Sequence, residues 1–333
     1  MAAETDLAGQ PAGEAPGAED AAIRTRGLSK RYGRVRAVDG LDLTVPRGSL
    51  FGFLGPNGAG KSTTIRMLTG LVRPTAGEAS VLSVPVARRL ALAGRVGALV
   101  EEPAFYAHLS AWQNLSLLAS LSGPVPRKRL EEVLEIVGLT AVARRRVGTY
   151  SHGMRQRLGI AQALVPQPEL LILDEPASGL DPEGMAEVRE LLRSLRDEGL
   201  TIFLSSHMLA EVEQTCTHVA VVAHGQVVAQ GETGGMLRGA TPGTRLVVDD
   251  PQRALQVLAA ADGPAINGQV VNERTVEVRA EGRDAAELNA LLVRGGVRVS
   301  EVTPMRRTLE SFYLETVGNA IEEVAGTTGR SGD

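Results

Sequence analysis

The sequence predicts an α/β chain: a parallel-sheet core around a phosphate-binding loop, an antiparallel β subdomain, a helical subdomain, and a small C-terminal α+β domain. Three observations predict it. The apolar run 49–54 enters a glycine-rich stretch, 55–62, which hands over to a helical pattern. A run of four aliphatics, 170–173, ends on Asp174 and Glu175. Beyond residue 243, six short segments follow in the order β-α-β-β-α-β, the order of a ferredoxin-like unit.

The elements follow in turn. Residues 1–22 are rich in Ala, Gly and Pro and carry Glu4, Asp6, Glu14, Glu19 and Asp20. They read as a disordered tail, without the basic start and apolar block of a signal peptide. Residues 41–45 alternate apolar and polar, and 46–48 read as a turn, which gives the antiparallel subdomain. A helix over 63–71 follows the glycine-rich loop. Residues 86–163 read as mostly helical around one strand at 96–100, with apolar residues at helical spacing in 115–121 and 130–137. An amphipathic helix over 183–198 stops at Gly199. Strands at 201–204, 219–222 and 226–229 follow, the last two as a hairpin around Gly225.

The Gly-, Thr- and Pro-rich stretch 234–243 marks a boundary, so a nucleotide-binding domain is expected over 23–237 and a C-terminal domain over 244–318. In the latter, strands are expected at 245–248, 266–271, 275–279 and 297–302. Helices are expected at 252–260, 285–293 and 308–317. Residues 319–333 read as a second disordered tail. The sequence has no internal repeat, so one nucleotide domain per chain is expected.

Composition narrows the function. A net charge of −4 argues against a broad basic surface for nucleic acid. The single cysteine, Cys216, excludes an intrachain disulfide and suits a reducing compartment. No stretch approaches the ~18 apolar residues of a membrane-spanning helix, so a membrane role requires a partner subunit.

Gly55, Pro56, Asn57, Gly58, Ala59, Gly60, Lys61 and Ser62 fit the pattern G-x-x-x-x-G-K-[ST], and a chance match in a chain of this length is on the order of 1 in 100. Between a strand and a helix, this loop defines a P-loop NTPase core. Glycines let backbone N–H groups wrap phosphates, and the helix N-terminus adds partial positive charge. Lys61 is expected on the β- and γ-phosphates of ATP, Ser62 on Mg2+, and Thr63 on the α-phosphate. The slot suits a compact ammonium; although Arg outnumbers Lys about tenfold in this chain, the loop keeps Lys. Asp174, at a strand's carboxyl end, is expected to hold Mg2+ through water. Glu175 beside it is placed to orient or deprotonate an attacking water.

Further motifs resemble those of ABC-type ATPases. Ser151-His152-Gly153-Met154-Arg155-Gln156-Arg157 looks like the family's signature, Ser178-Gly179-Leu180-Asp181 its D-loop, His207 its switch histidine, and Tyr32 its adenine-stacking aromatic. The resemblance covers about residues 23–237. It implies two chains paired head to tail, a homodimer or a pair with a related ATPase. Ser151, Gly153 and Asp181 of one chain would then complete the ATP site of the other, and a separate transmembrane permease would be the driven partner. The chain would be cytoplasmic, peripheral on the inner face of the membrane.

Two positions depart from the common pattern. Glu101, with Glu102 nearby, stands where the family usually has Gln, and a carboxylate there can still ligate Mg2+. His152 stands where the common signature has Gly. Both variants, the phrase around Glu101, and residues 308–314 (TLESFYL) resemble the bacitracin- and lantibiotic-type export and immunity ATPases. An exporter of a drug or peptide antibiotic is therefore expected. The alternatives are a soluble ABC-type ATPase of DNA repair or translation, and a nucleotide-regulated switch. Only 90 positions separate Lys61 from Ser151, with no sustained heptads between them, which leaves no room for the long coiled coil of the repair type.

Overall fold

The computed structural model describes residues 21–121, 123–238, 243–261, 266–280, 282–305 and 308–314. The two expected tails lie outside the described residues except for Ala21 and Ala22, which correct the first boundary. Both are buried members of the first strand, β1 (Ala21–Tyr32). The Leu82 N–H donates to the Ala22 carbonyl at 2.7 Å, so these small apolar residues extend the core rather than the tail. The chain divides into two compact units between Thr233 and Gly234.

In the first unit, β1 pairs antiparallel with β2 (Val35–Pro46). The fully buried β3 (Leu50–Leu54) runs into the glycine-rich loop, and α1 (Lys61–Leu68) leaves it. The helix starts two residues ahead of the expected 63–71 and ends earlier, because Gly70 takes a positive φ of 72°. The strands β4 (Ala76–Val81) and β5 (Val84–Pro85) complete an antiparallel sheet of order β2-β1-β4-β5.

The strand β6 (Val96–Leu99) precedes the helices α2 (Ala111–Ser120), α3 (Arg127–Ile136) and α4 (His152–Leu164). Ser110 and Gln113 form a reciprocal capping box on α2, and the Ser151 hydroxyl accepts the Met154 N–H to cap α4. Next come β7 (Leu170–Asp174), α5 (Pro182–Asp197), β8 (Thr201–Ser206), α6 (Leu209–Thr215), β9 (His218–Ala223) and β10 (Gln226–Glu232).

The second sheet has the order β10-β9-β3-β8-β7-β6. All its pairs are parallel except β10 on β9. The central strands are buried along their length, as a sheet covered on both faces requires. Phe203 packs between Phe51 and Phe53 at ring centroid distances of 5.8 and 5.3 Å. Cys216 is buried, and burial pushes its thiol pKa well up, so it acts as a packing residue. Because β3, β8, β7 and β6 run in one direction, their carboxyl ends share one edge of the sheet, where ligands of such folds bind.

The helix α7 (Thr233–Arg238) starts at the division between units. The second unit contains β11 (Gly243–Val248), α8 (Pro251–Ala259), β12 (Ile266–Asn272), β13 (Thr275–Ala280), α9 (Ala285–Arg294) and β14 (Val299–Met305). Its antiparallel sheet has the order β12-β13-β11-β14, which is the ferredoxin-like arrangement. Leu246, Val248, Val276 and Val278 meet Leu258, Leu288 and Leu292 of the helices in one core. The alternate strand residues face away from that core, and among them Arg245 is paired to Glu277 at 2.7 Å. Residues 309–314 are helical, with the Thr308 hydroxyl accepting the Ser311 N–H; the rest of the expected 308–317 helix lies outside the described residues. Among the described residues, no helix is long and apolar enough to cross a membrane.

Candidate functional site

The glycine-rich loop is fixed by close backbone contacts. A Cβ at Gly55 would collide with the Val222 carbonyl of β9, and one at Gly60 with the Ala37 carbonyl of β2. Gly60 also takes a φ of +97° as the cap of α1, a conformation that side chains other than glycine's rarely adopt. Lys61 is buried at 6 % exposure. Its ammonium donates back to the carbonyls of Gly55 at 2.8 Å and Pro56 at 3.3 Å. The loop is thus closed around its own lysine, with Ser62 and Thr63 half-buried on the first turn of α1.

Asp174 and Glu175 emerge from β7 on the same edge. Their geometry depends on Ser205, the residue aligned with Asp174 in the β7–β8 register. The Ser205 hydroxyl donates to Asp174 Oδ1 at 2.5 Å and accepts the Glu175 N–H at 2.9 Å. Ser205 is fully buried, so both bonds are sheltered from water. Glu175 holds a φ of +52°, a left-handed backbone that a glutamate adopts only when its surroundings impose it. One oxygen of its carboxylate lies 3.4 Å from Lys61 Nζ. The other lies 2.5 Å from His207 Nδ1, and since an ionised carboxylate only accepts, the imidazole donates. A carboxylate between a buried ammonium and an exposed imidazole, at the mouth of a phosphate-type loop, can orient a water or take its proton.

Tyr32 ends β1, opposite Val35 of the neighbouring strand, with its ring half-exposed and Lys30 Nζ 5.0 Å from the ring centre. The carbonyl of Ala37 on the same β2 abuts Gly60, which puts this hairpin beside the loop. Glu101 follows β6 at a φ of +70°, and its carboxylate is ion-paired with Arg66, one turn beyond Ser62 on α1. A role on a metal ion requires it to leave that guanidinium. Ser151 and Asp181 are exposed helix caps; the Asp181 carboxylate accepts the Gly184 N–H of its own chain at 3.0 Å. Gly153 lies beside Leu180, and a Cβ added there would sit 3.7 Å from the leucine side chain.

Sequence reasoning assigned no role to Ser205 or Arg66. For Ser205 a signal existed: a small polar residue following the apolar run of a buried strand, two positions before His207. Arg66 offered none, since its partner lies 35 positions away.

A family model described as "ABC transporter" matches residues 38–178. The chain is 38 % identical to the bacitracin transport ATP-binding protein BcrA of Bacillus licheniformis, over 89 % of this chain and 97 % of that one. It is 39 % identical to the daunorubicin resistance ATP-binding protein DrrA3 of Streptomyces coeruleorubidus, over 90 % and 97 %. Its fold is similar to cbiO1 of Clostridium perfringens, part of the ABC transporter complex cbiONQ, with a TM-score of 0.61 and 28 % identity over 66 % of this chain and 92 % of that one. With likeness along nearly its whole length and a phosphate-type loop facing two carboxylates, the chain belongs to the ABC transporter family, as one of its ATP-binding, ATP-hydrolysing proteins.

Proposed function

We propose that two copies of this chain, or this chain and a close relative, close head to tail on two ATP molecules and drive a separate membrane permease. Each ATP lies between residues 55–62 of one chain and Ser151, Gly153 and Asp181 of the other. The observation that carries this reading is the junction at Glu175. One carboxylate is held by Lys61 and His207 beside the loop, while Ser151 and Asp181 are exposed caps of other helices. Their exposure leaves Ser151 and Asp181 open to a nucleotide held by a second chain.

Within the site, Lys61 and the loop N–H groups grip the β- and γ-phosphates, Thr63 the α-phosphate, and Tyr32 stacks on the adenine. Glu175 orients and deprotonates the attacking water, and His207 holds Glu175 and the γ-phosphate in register. The donor set fits Mg2+. The Ser62 hydroxyl and the Asp174 carboxylate are hard oxygen ligands, and Asp174 is already aimed by Ser205. Mg2+ keeps several of its waters and takes few protein ligands, so these two oxygens can suffice. When bound, Mg2+ neutralises phosphate charge. Glu101 joins this set if it exchanges Arg66 for the ion.

The relatives named for bacitracin transport and daunorubicin resistance support an exporter of a drug or peptide antibiotic, with this chain on the inner face of the membrane. Isolation of the tagged chain from solubilised membranes tests the reading. Recovery with a multi-span membrane protein is expected. Recovery with ribosomes or DNA and no membrane protein would favour the repair or translation alternative.

Ser205→Ala supplies a second check. Loss of the shared hydroxyl leaves Asp174 and the Glu175 N–H short of a buried partner, a cost of about 1–3 kcal/mol. Turnover is expected to fall by about tenfold or more, with a higher Mg2+ requirement. A wild-type Mg2+ dependence would show that Ser205 does not aim Asp174.

A further inference from the structure

We infer that His152 is a positioning residue that couples the two ATP sites of the pair, by tying the signature end of α4 to the loop that carries Glu175. The inference rests on the two-copy reading above. In that reading Ser151 and Gly153 serve the partner's ATP, while Glu175 serves the chain's own. His152 lies between the first two in sequence and reaches toward the third in space.

The connection is short. His152 Nε2 is 3.2 Å from the Ser178 carbonyl oxygen, which accepts the hydrogen bond from Nε2–H. The Ser178 N–H in turn donates to the Glu175 carbonyl at 3.1 Å. Gly179 packs against the imidazole: a Cβ there would sit 3.5 Å from Nε2, and its φ of +72° is one that residues with a side chain rarely adopt. Two hydrogen bonds therefore join the first residue of α4 to the backbone of Glu175. That backbone is the one held at a φ of +52°, where a small shift of the loop redirects the side chain between Lys61 and His207.

A glycine at position 152, as in the common signature, has no side chain with which to make this link. The bond ties two segments that face different nucleotides, so the arrival of the partner's ATP at Ser151 and Gly153 is transmitted to the aim of Glu175. Coupling of this kind is reciprocal between the two sites. One hydrogen bond of ordinary strength supports a coupling factor of about 2- to 10-fold.

The test is ATP hydrolysis against ATP concentration for the full chain, for His152→Ala and for His152→Gln, whose amide N–H can replace Nε2–H. Light scattering of Glu175→Gln chain with ATP runs beside it as a measure of pairing. A sigmoidal wild-type curve is expected. The Hill coefficient should fall toward 1 in His152→Ala and recover at least in part in His152→Gln. Pairing by the Glu175→Gln chain together with an unchanged Hill coefficient in His152→Ala overturns the coupling alone, as does a hyperbolic wild-type curve. Absence of pairing overturns the two-copy reading and the coupling with it. A helix-cap defect without coupling would lower the rate or stability in both variants and leave the Hill coefficient in place.

Discussion

Glu175→Gln is expected to lower ATP turnover by about 10²- to 10⁴-fold and to leave ATP binding intact. The substitution keeps the size of the side chain. It also leaves the Ser205 bond untouched, because that bond is to the Glu175 backbone N–H. What is lost is the capacity to take a proton from water, together with the charge between Lys61 and His207. Removing that charge frees Lys61 from a competing carboxylate, so ATP affinity should hold or rise. The nucleotide, once bound, is not consumed, and the closed pair should accumulate. Single-turnover hydrolysis and nucleotide titration on the same preparation measure both halves. Turnover within a few-fold of wild type would remove Glu175 from the role of water-activating residue.

The second large effect is expected at Lys61. Its ammonium is almost fully buried and holds two loop carbonyls. Lys61→Ala removes the charge that meets the phosphates and leaves those carbonyls without their donor. Charge-assisted bonds of this kind are worth about 1.5–3 kcal/mol each, so ATP affinity should fall about 10²-fold and hydrolysis with it. Lys61→Arg should fail as well, since a planar fork does not fit a slot that closes on the carbonyls of Gly55 and Pro56. Isothermal titration with ATP decides the matter; an affinity within twofold of wild type in the alanine variant would contradict the assignment.

How much of this was legible in the sequence depends on how local each feature is. The loop over 55–62 is a contiguous pattern, and the aliphatic run before Asp174 is another, so both were readable with their neighbouring elements. The C-terminal unit was readable because β11 and β13 largely alternate buried and less buried residues and α8 and α9 each open on a capping aspartate, Asp250 and Asp284. The first boundary slipped because Ala21 and Ala22 look like the Ala-rich stretch before them; only pairing with a strand more than twenty residues away makes them core. Ser205 was hidden for a related reason. Its role comes from the parallel register that sets it against Asp174 across 31 positions, and register is not written in either strand alone. The Arg66–Glu101 pair and the reach of His152 to Ser178 likewise depend on how loops fold back. For Asp181 the family resemblance implied a contact across the pair; within its own chain one of its oxygens also caps α5.

The central claim is that each ATP is hydrolysed at a site built from two chains, and mixing two inactive variants tests it most directly. Lys61→Ala disables the loop and keeps Ser151 and Gly153. Gly153→Asp disables the signature end of α4 and keeps the loop. Each variant alone should be inactive. In a mixed pair, one site combines an intact loop from one chain with an intact signature from the other, so the mixture should regain ATPase activity absent from both parents. A mixture that forms mixed pairs by mass and stays inactive would contradict the account, as would full activity of the Gly153→Asp chain alone.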